Sequence, residues 1–165
     1  MRIKIAGFEK ESITDGKGMR YTVFTQGCPH ACVGCHNPET HDFGKGEWMD
    51  INDIFEEFKS NPLLNGITLS GGEPFCQPKP LYHLAELVHS IGKDVTVYSG
   101  WTLEELCKMK NEDVDKLLEE VDVLIDGKFV EELKNLELQF RGSENQRVID
   151  MNETRKAGKV VLMDS

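Results

Sequence analysis

Short runs of β-branched and aliphatic residues alternate along this chain with amphipathic segments whose apolar residues repeat at the helical period. This alternation is typical of βα units arranged around a mostly parallel sheet, and it predicts an α/β fold with the helices outside the sheet. Strands are predicted at residues 3–6, 21–25, 66–69, 94–98 and 121–125, and a late strand or hairpin arm at 146–151, followed by 160–163.

Three helices are predicted from apolar stripes and from the residues that cap them. Asp50 is placed to cap the first helix, Gly92 to end the second, and Thr102 with Glu105 reads as a capping box at the start of the third. The stripes consist of Ile51, Ile54, Phe55 and Phe58, of Leu81, Leu84, Ala85, Val88 and Ile91, and of Leu106 and Met109. We expect these side chains in the core, without a cofactor role.

Length and composition restrict the class of protein. A chain of 165 residues with 39% hydrophobic and 29% charged residues is ordinary for one globular domain, here expected to span residues 1–165. We find no run of about 18 apolar residues and no charged-then-apolar leader, so the chain is expected to be cytoplasmic, without a membrane contact. The net charge of −10 argues against nucleic-acid binding, which needs basic patches.

Three cysteines fall within eight residues: Cys28, Cys32 and Cys35. This C-x3-C-x2-C spacing supplies three thiolates to one metal centre, whereas cubane iron–sulfur clusters normally have four cysteines. Three would leave one iron open for a ligand. The total of five cysteines is odd, which favours a reducing compartment and metal binding over disulfides. Cys76 and Cys107 are expected to be free thiols packed as small apolar side chains.

The alternative for the cysteine segment is a structural zinc site with His30 or His36 as fourth ligand. Zinc sites usually pair two C-x2-C hooks that are separated by a longer stretch, and this chain has no second hook. Taken with the Gly-Gly-Glu motif described next, the pattern favours an iron–sulfur cluster over zinc.

Chemistry-bearing residues follow four successive predicted strands, and ligands bind at the carboxyl ends of parallel strands. They are Cys28, Cys32 and Cys35; Gly71, Gly72 and Glu73; Ser99; and Asp126 and Lys128. The two glycines would let the backbone approach a ligand closely, and Glu73 would add a carboxylate for an ammonium group. Lys128 could pair with the carboxylate of a bound amino acid or lie solvated, and Ser99 could bond a ribose or carboxylate or serve a turn. The polar segment 141–147 could line the pocket or meet a partner.

Five segments carry a resemblance to a known family: residues 15–20, 24–28, 70–74, 123–129 and 140–146. With the cysteine triplet and the Gly-Gly-Glu motif, they resemble the radical S-adenosylmethionine enzymes, and among these the activating enzymes of glycyl-radical enzymes. Two positions depart from the family pattern: Lys17 replaces a usual proline, and His36 replaces a more common aromatic residue.

The resemblance implies an oxidoreductase with a partial (β/α) barrel of the radical S-adenosylmethionine type. It implies that Cys28, Cys32 and Cys35 hold a [4Fe-4S] cluster. S-adenosylmethionine would chelate the open iron, and one electron from a low-potential donor would cleave it to a 5′-deoxyadenosyl radical that takes hydrogen from a glycine of a protein substrate. The implied cofactor-binding residues are Gly34, His36, Gly71, Gly72, Glu73, Ser99, Asp126 and Lys128.

Segments 123–129 and 140–146 are similar to the branch whose substrate is anaerobic ribonucleoside-triphosphate reductase, which makes that enzyme's catalytic subunit the implied partner. Three alternatives stay open at this point. They are an activator of another glycyl-radical enzyme such as pyruvate formate-lyase, a small-molecule radical S-adenosylmethionine enzyme, and a zinc-stabilised binding module without catalysis.

Overall fold

The computed structural model describes residues 1–30, 32, 34–35 and 38–163, and this part of the chain contains seven strands and five α-helices. The strands are β1 (Arg2–Ser12), β2 (Arg20–Thr25), β3 (Glu47–Asp50), β4 (Gly66–Gly71), β5 (Asp94–Ser99), β6 (Val123–Asp126) and β7 (Arg147–Asp150). The helices are α1 (Ile51–Lys59), α2 (Pro78–Ser90), α3 (Leu103–Lys108), α4 (Glu112–Glu119) and α5 (Met151–Ala157). No helix in these residues has the length and apolar composition needed to cross a bilayer.

The seven strands form one sheet in the order β3-β1-β2-β4-β5-β6-β7. The four central strands, β2, β4, β5 and β6, are parallel, while β1, β3 and β7 join antiparallel. The predicted α/β class and the parallel arrangement of the central strands are confirmed. The sheet is open between its edge strands β3 and β7, so the strands described do not close into a barrel.

The last predicted strand, at residues 160–163, is wrong. Helix α5 follows β7 directly, and the chain after it makes only a single antiparallel bridge between Ile149 and Leu162. Asp150 ends β7 and caps α5, because its side chain accepts a hydrogen bond from the Glu153 amide. The hairpin arm predicted at 146–151 is therefore a strand of four residues that turns at once into a helix.

The hydrophobic core lies between the helices α1–α4 and one face of the central strands. The predicted helical stripes are buried there, apart from the partly buried Ile91 and the exposed Met109. The predicted caps are present as well: Asp50 accepts from the Asn52 amide at 2.9 Å, and both bonds of the Thr102–Glu105 capping box form. Each fully buried Leu, Ile or Val contributes about 1.5–3 kcal/mol, so this layer holds the helices against the sheet.

The opposite face of the central strands is polar and is crossed by one buried arginine. Arg20 is only 1% exposed and donates to the hydroxyls of Thr68 and Thr96, both at 3.1 Å. The loop before β2 closes over the same face, because the Asp15 carbonyl accepts from the Thr68 hydroxyl and the Asp15 carboxylate accepts from that of Thr22. This network fixes the Asp15–Arg20 loop beside the ends of the parallel strands.

His89 on α2 makes the stability of the fold dependent on pH. Its Nδ1 lies 2.7 Å from Glu120 and its Nε2 lies 2.7 Å from Asp122, and the hydrogen bond with Asp122 is the main cause that raises the pKa of His89 to about 9. A raised pKa in the folded state adds stability that is complete below pH 6.5 and is lost as the pH rises through about 9.

We expect the His89→Gln protein to lose most of this pH dependence. Because the imidazole is partly exposed and solvent screens the pair, the contribution is about 1 kcal/mol. Anaerobic urea unfolding at pH 6.5 and pH 9.5 measures it: the wild type should lose stability between the two values, and His89→Gln should lose clearly less. His83→Gln on the same helix is the control, and an equal slope in all three proteins would contradict the assignment.

Candidate cofactor site

The carboxyl ends of the four parallel strands meet at one pocket of about 420 Å³, a volume that is ordinary for a small-molecule site. Each strand end contributes to its lining: Cys28 follows β2, Gly71 ends β4, Ser99 ends β5, and Gly127 follows β6. The strand order explains the convergence, because β2, β4, β5 and β6 are neighbours and point the same way.

All three clustered cysteines line this pocket and are partly exposed. Their loop is held by backbone bonds: the Gly27 amide donates to the Thr40 carbonyl at 2.7 Å, and the Cys28 amide to that of His41 at 3.2 Å. Within the described residues, no three His, Cys, Asp or Glu side chains form a group that could hold a single metal ion. A [4Fe-4S] cluster is a larger group than a single ion and takes its cysteines at separate irons.

The Gly71-Gly72 pair packs directly on the chain that leads into the cysteine loop. The Gly72 amide donates to the Thr25 carbonyl at 2.8 Å, and the Glu73 amide to the Gly27 carbonyl at 2.8 Å. Gly71 has a φ of 94°, and a side chain at either glycine would overlap the backbone between Phe24 and Gly27. Both positions therefore require glycine for the packing that brings the two motifs together.

Glu73 is fully buried, and its carboxylate serves as an anchor for two other segments. Oε1 accepts from the Gly100 amide at 2.7 Å and lies 2.7 Å from His30 Nε2, while the Ser99 hydroxyl is 3.0 Å from both oxygens. Oε2 also accepts from the Phe75 amide at 3.1 Å. Glu73 thus ties the cysteine loop and the end of β5 to its own turn.

His30, which the sequence pattern offers only as an alternative zinc ligand, contacts Glu73 and Trp101 in the structure. Its side chain is 5% exposed, and its ring meets the Trp101 ring edge-on with centroids 4.7 Å apart. A side chain at Gly100 would collide with the imidazole. His30 therefore fixes the cysteine loop through a buried hydrogen bond and an aromatic contact, neither of which leaves a local signal in the sequence.

The structure places the other predicted site residues away from the pocket lining. Asp126 is buried and accepts from the Leu103 amide at 2.7 Å and from Arg147 Nε at 3.0 Å. Lys128 and Gly34 are exposed, and a side chain at Gly34 would meet Glu131. Among the described residues, the lining includes the three cysteines, Gly71, Gly72 and Ser99 but not Gly34, Glu73, Asp126 or Lys128. The prediction for His36 lies outside the described residues.

The two remaining cysteines differ from their prediction. Cys76 and Cys107 are free, as expected, but both residues are exposed and are not packed in the core. Partial desolvation of the Cys76 thiol nevertheless raises its pKa to about 12, helped by the negative charge of Glu73. With no metal ion bound to it, a thiol with so high a pKa is protonated at neutral pH.

Much of the pocket wall comes from residues after β6, and three of them, Arg141, Gly142 and Gln146, belong to the polar segment 141–147 that could line the pocket or meet a partner. The segment 135–142 supplies Asn135, Leu136, Leu138, Phe140, Arg141 and Gly142, and Gln146 and Tyr98 join it. Two buried nitrogen atoms of the lining, His41 Nε2 and Arg141 Nε, have no hydrogen-bond partner in the described part of the chain. Neither atom is open to solvent in the pocket, so the groups that face a ligand are the three thiols and the glycine turn. The thiols suit an iron–sulfur cluster, and the pocket has room for a bound small molecule beside them.

Comparison with known proteins agrees with this chemistry. A family model described as a 4Fe-4S single cluster domain matches residues 14–149. This match makes a [4Fe-4S] cluster a cofactor of the chain. In fold, the chain is similar to the crystal structure of QueE from Escherichia coli, with a TM-score of 0.50 and 15% identity over 76% of this chain and 70% of that one.

Curated relatives cover most of the chain and most of their own length. A Haemophilus influenzae protein is 37% identical over 81% of this chain and 89% of its own. A protein of Escherichia coli strain K12 is 38% identical over 82% and 91%, and one of Enterobacteria phage T4 is 32% identical over 81% and 85%. All three are named anaerobic ribonucleoside-triphosphate reductase-activating protein. This chain therefore belongs to the family of anaerobic ribonucleoside-triphosphate reductase-activating proteins.

Proposed function

We propose that this protein activates anaerobic ribonucleoside-triphosphate reductase by generating a glycyl radical on its catalytic subunit. One observation carries the proposal: three thiols and the Gly71-Gly72 backbone line a single pocket in a chain of the activating-protein family. When bound, a [4Fe-4S] cluster and S-adenosylmethionine supply the reductive cleavage that yields a 5′-deoxyadenosyl radical able to take hydrogen from a glycine.

The residues of the chain bind and position this chemistry. Cys28, Cys32 and Cys35 hold the cluster, and Gly71 and Gly72 let the glycine turn pack against the chain before the cysteine loop, which places both motifs beside the cofactor. Glu73 and His30 hold the cysteine loop and the glycine turn at a fixed distance, through the 2.7 Å contact between their side chains. Because the cysteine loop and the glycine turn cannot shift relative to each other, the groups bound to them are held in a narrow range of positions, which favours the reaction.

The proposal includes the partners and the setting of the reaction. The chain works as one domain over residues 1–165, takes electrons from a low-potential donor, acts in the cytoplasm and binds neither nucleic acid nor membrane. Its open sheet corresponds to the partial (β/α) barrel of radical S-adenosylmethionine enzymes, and the protein substrate reaches the pocket at the carboxyl ends of the parallel strands. The net charge of −10 supports the exclusion of nucleic acid.

Anaerobic electron paramagnetic resonance tests the proposal directly. The cluster-loaded protein is mixed with S-adenosylmethionine, a reductant and the reductase catalytic subunit. We expect a glycyl-radical signal on the reductase that depends on every component. A sample without S-adenosylmethionine is the control. A radical formed only on another glycyl-radical enzyme, such as pyruvate formate-lyase, would contradict the assignment of the partner, and a purified protein with zinc in place of iron would exclude the whole chemistry.

A further inference from the structure

Arg141 occupies the pocket wall in an unusual state, with one buried donor left unpaired. Its Nη1 donates to the carbonyls of Glu144 at 3.1 Å and Gln146 at 2.5 Å, while its Nε is buried without a partner in the described residues. A guanidinium keeps its charge at any physiological pH, and an unpaired buried donor on such a group is costly. Arg141 is also the one lysine or arginine among the described lining residues, so it supplies the permanent positive charge of the pocket.

Three hydrogen bonds hold the turn around Arg141 in place. The Tyr98 hydroxyl donates to the Phe140 carbonyl at 2.5 Å, and Phe140 has a φ of 66°, a conformation that side-chain-bearing residues rarely adopt. Gln146 accepts from the Gly142 amide at 2.8 Å and donates to the Gly127 carbonyl at 3.0 Å. The turn is thus tied to the ends of β5 and β6, which fixes the guanidinium relative to the pocket.

We propose that Arg141 binds the carboxylate of the amino-acid portion of S-adenosylmethionine, an assignment that rests on the proposed function. The carboxylate is the one anionic group of that cofactor, and a guanidinium matches a carboxylate in charge and in geometry. From the sequence, Lys128 could either take this role or lie solvated. Lys128 is exposed and does not belong to the described pocket lining, whereas Arg141 does.

Binding of two cofactor forms to the cluster-loaded, oxidised protein tests the assignment without turnover. Anaerobic calorimetry measures the Kd of S-adenosylmethionine and of its decarboxylated analogue for the wild type and for Arg141→Met. Arg141→Met loses the hydrogen bonds to the charged carboxylate, so we expect it to weaken binding of S-adenosylmethionine by about 10-fold to 100-fold. Its Kd for the decarboxylated analogue should stay within about 2-fold of the wild-type value, because that analogue lacks the group that Arg141 binds.

Arg155→Met is the matched control, because Arg155 also donates to backbone carbonyls, those of Leu118 and Val121, outside the pocket. It should bind both forms as the wild type does. Should Arg141→Met lose its cluster or its fold, Arg141→Lys keeps the charge but displaces the donor, and it should show the same selective loss.

Several results would overturn the assignment. Equal weakening of both cofactor forms would do so, as would an unchanged Kd for both or a selective loss in Lys128→Met instead. If the reduced cluster of Arg141→Met differed in spectrum from that of the wild type before any cofactor is added, the guanidinium would contact the cluster itself. If the cluster-loaded wild type bound no S-adenosylmethionine, the proposed function would fail together with this assignment.

Discussion

Replacement of Cys32 by alanine is expected to remove the [4Fe-4S] cluster and to reduce glycyl-radical formation on the reductase by more than about 100-fold. Cys32 is one of the three clustered thiols that line the pocket, and Cys76 does not belong to the described lining. The cluster has four irons, one of which has no protein ligand in any case. Without Cys32, the protein would bind only two of the four.

Iron and sulfide content after anaerobic reconstitution measures this loss directly, before any activity is assayed. Cys107→Ala is the matched control, because Cys107 is an exposed thiol on α3 outside the pocket lining. It should retain a full cluster. A Cys32→Ala protein with wild-type iron content and an unchanged spectrum of the reduced cluster would show that the cluster does not depend on this cysteine, and the assigned ligand set would be wrong.

The sequence predicts most of the fold because the elements that build the core carry their own signals. The apolar stripes of α1 and α2 and the caps at Asp50 and Thr102 are local, and each appears where it is predicted. Strand β3 is not predicted because it is a short edge strand with Trp48 exposed. It therefore lacks the alternation of apolar and polar residues that marks a half-buried strand. Helix α5 is not predicted because only Met151 of its seven residues is buried, so it has no apolar stripe.

Helix α4 is a different case, because its signal is present in the sequence. Asn111 accepts from two amides of the first turn, and Val114, Leu117 and Leu118 are buried at helical spacing. The segment is only eight residues long, and its acidic first turn makes it look like a solvated loop. Its packing against α2 gives it stability that so short a helix does not have by itself.

The site is less predictable than the fold because side-chain partners come from distant parts of the chain. Glu73 is read from its motif as a carboxylate open to a ligand, yet its acceptors are occupied by residues 26, 27 and 43 positions away. Asp126 pairs across the sheet with Arg147, its register partner on the antiparallel strand β7. A motif places a residue at a strand end, but only the neighbouring strands decide what its side chain contacts.

The second large effect is expected for Glu73→Ala, which should destabilise the protein by about 3–5 kcal/mol and loosen the cysteine loop. The substitution leaves the Gly100 amide, the Ser99 hydroxyl and the His30 imidazole buried without their acceptor. Water cannot easily replace a carboxylate that is 0% exposed.

Anaerobic urea unfolding of the cluster-loaded protein measures the loss of stability, and the rate of cluster release to a chelator measures the loosening of the loop. Glu73→Gln keeps the shape and one acceptor, and we expect about 1–3 kcal/mol because its amide group opposes a donor in place of accepting from it. Glu86→Ala, at an exposed position of α2, is the control and should stay within about 0.5 kcal/mol of the wild type. If Glu73→Ala released its cluster no faster than this control, Glu73 would not hold the cysteine loop. The 2.7 Å contact with His30 would then serve only the packing of β5.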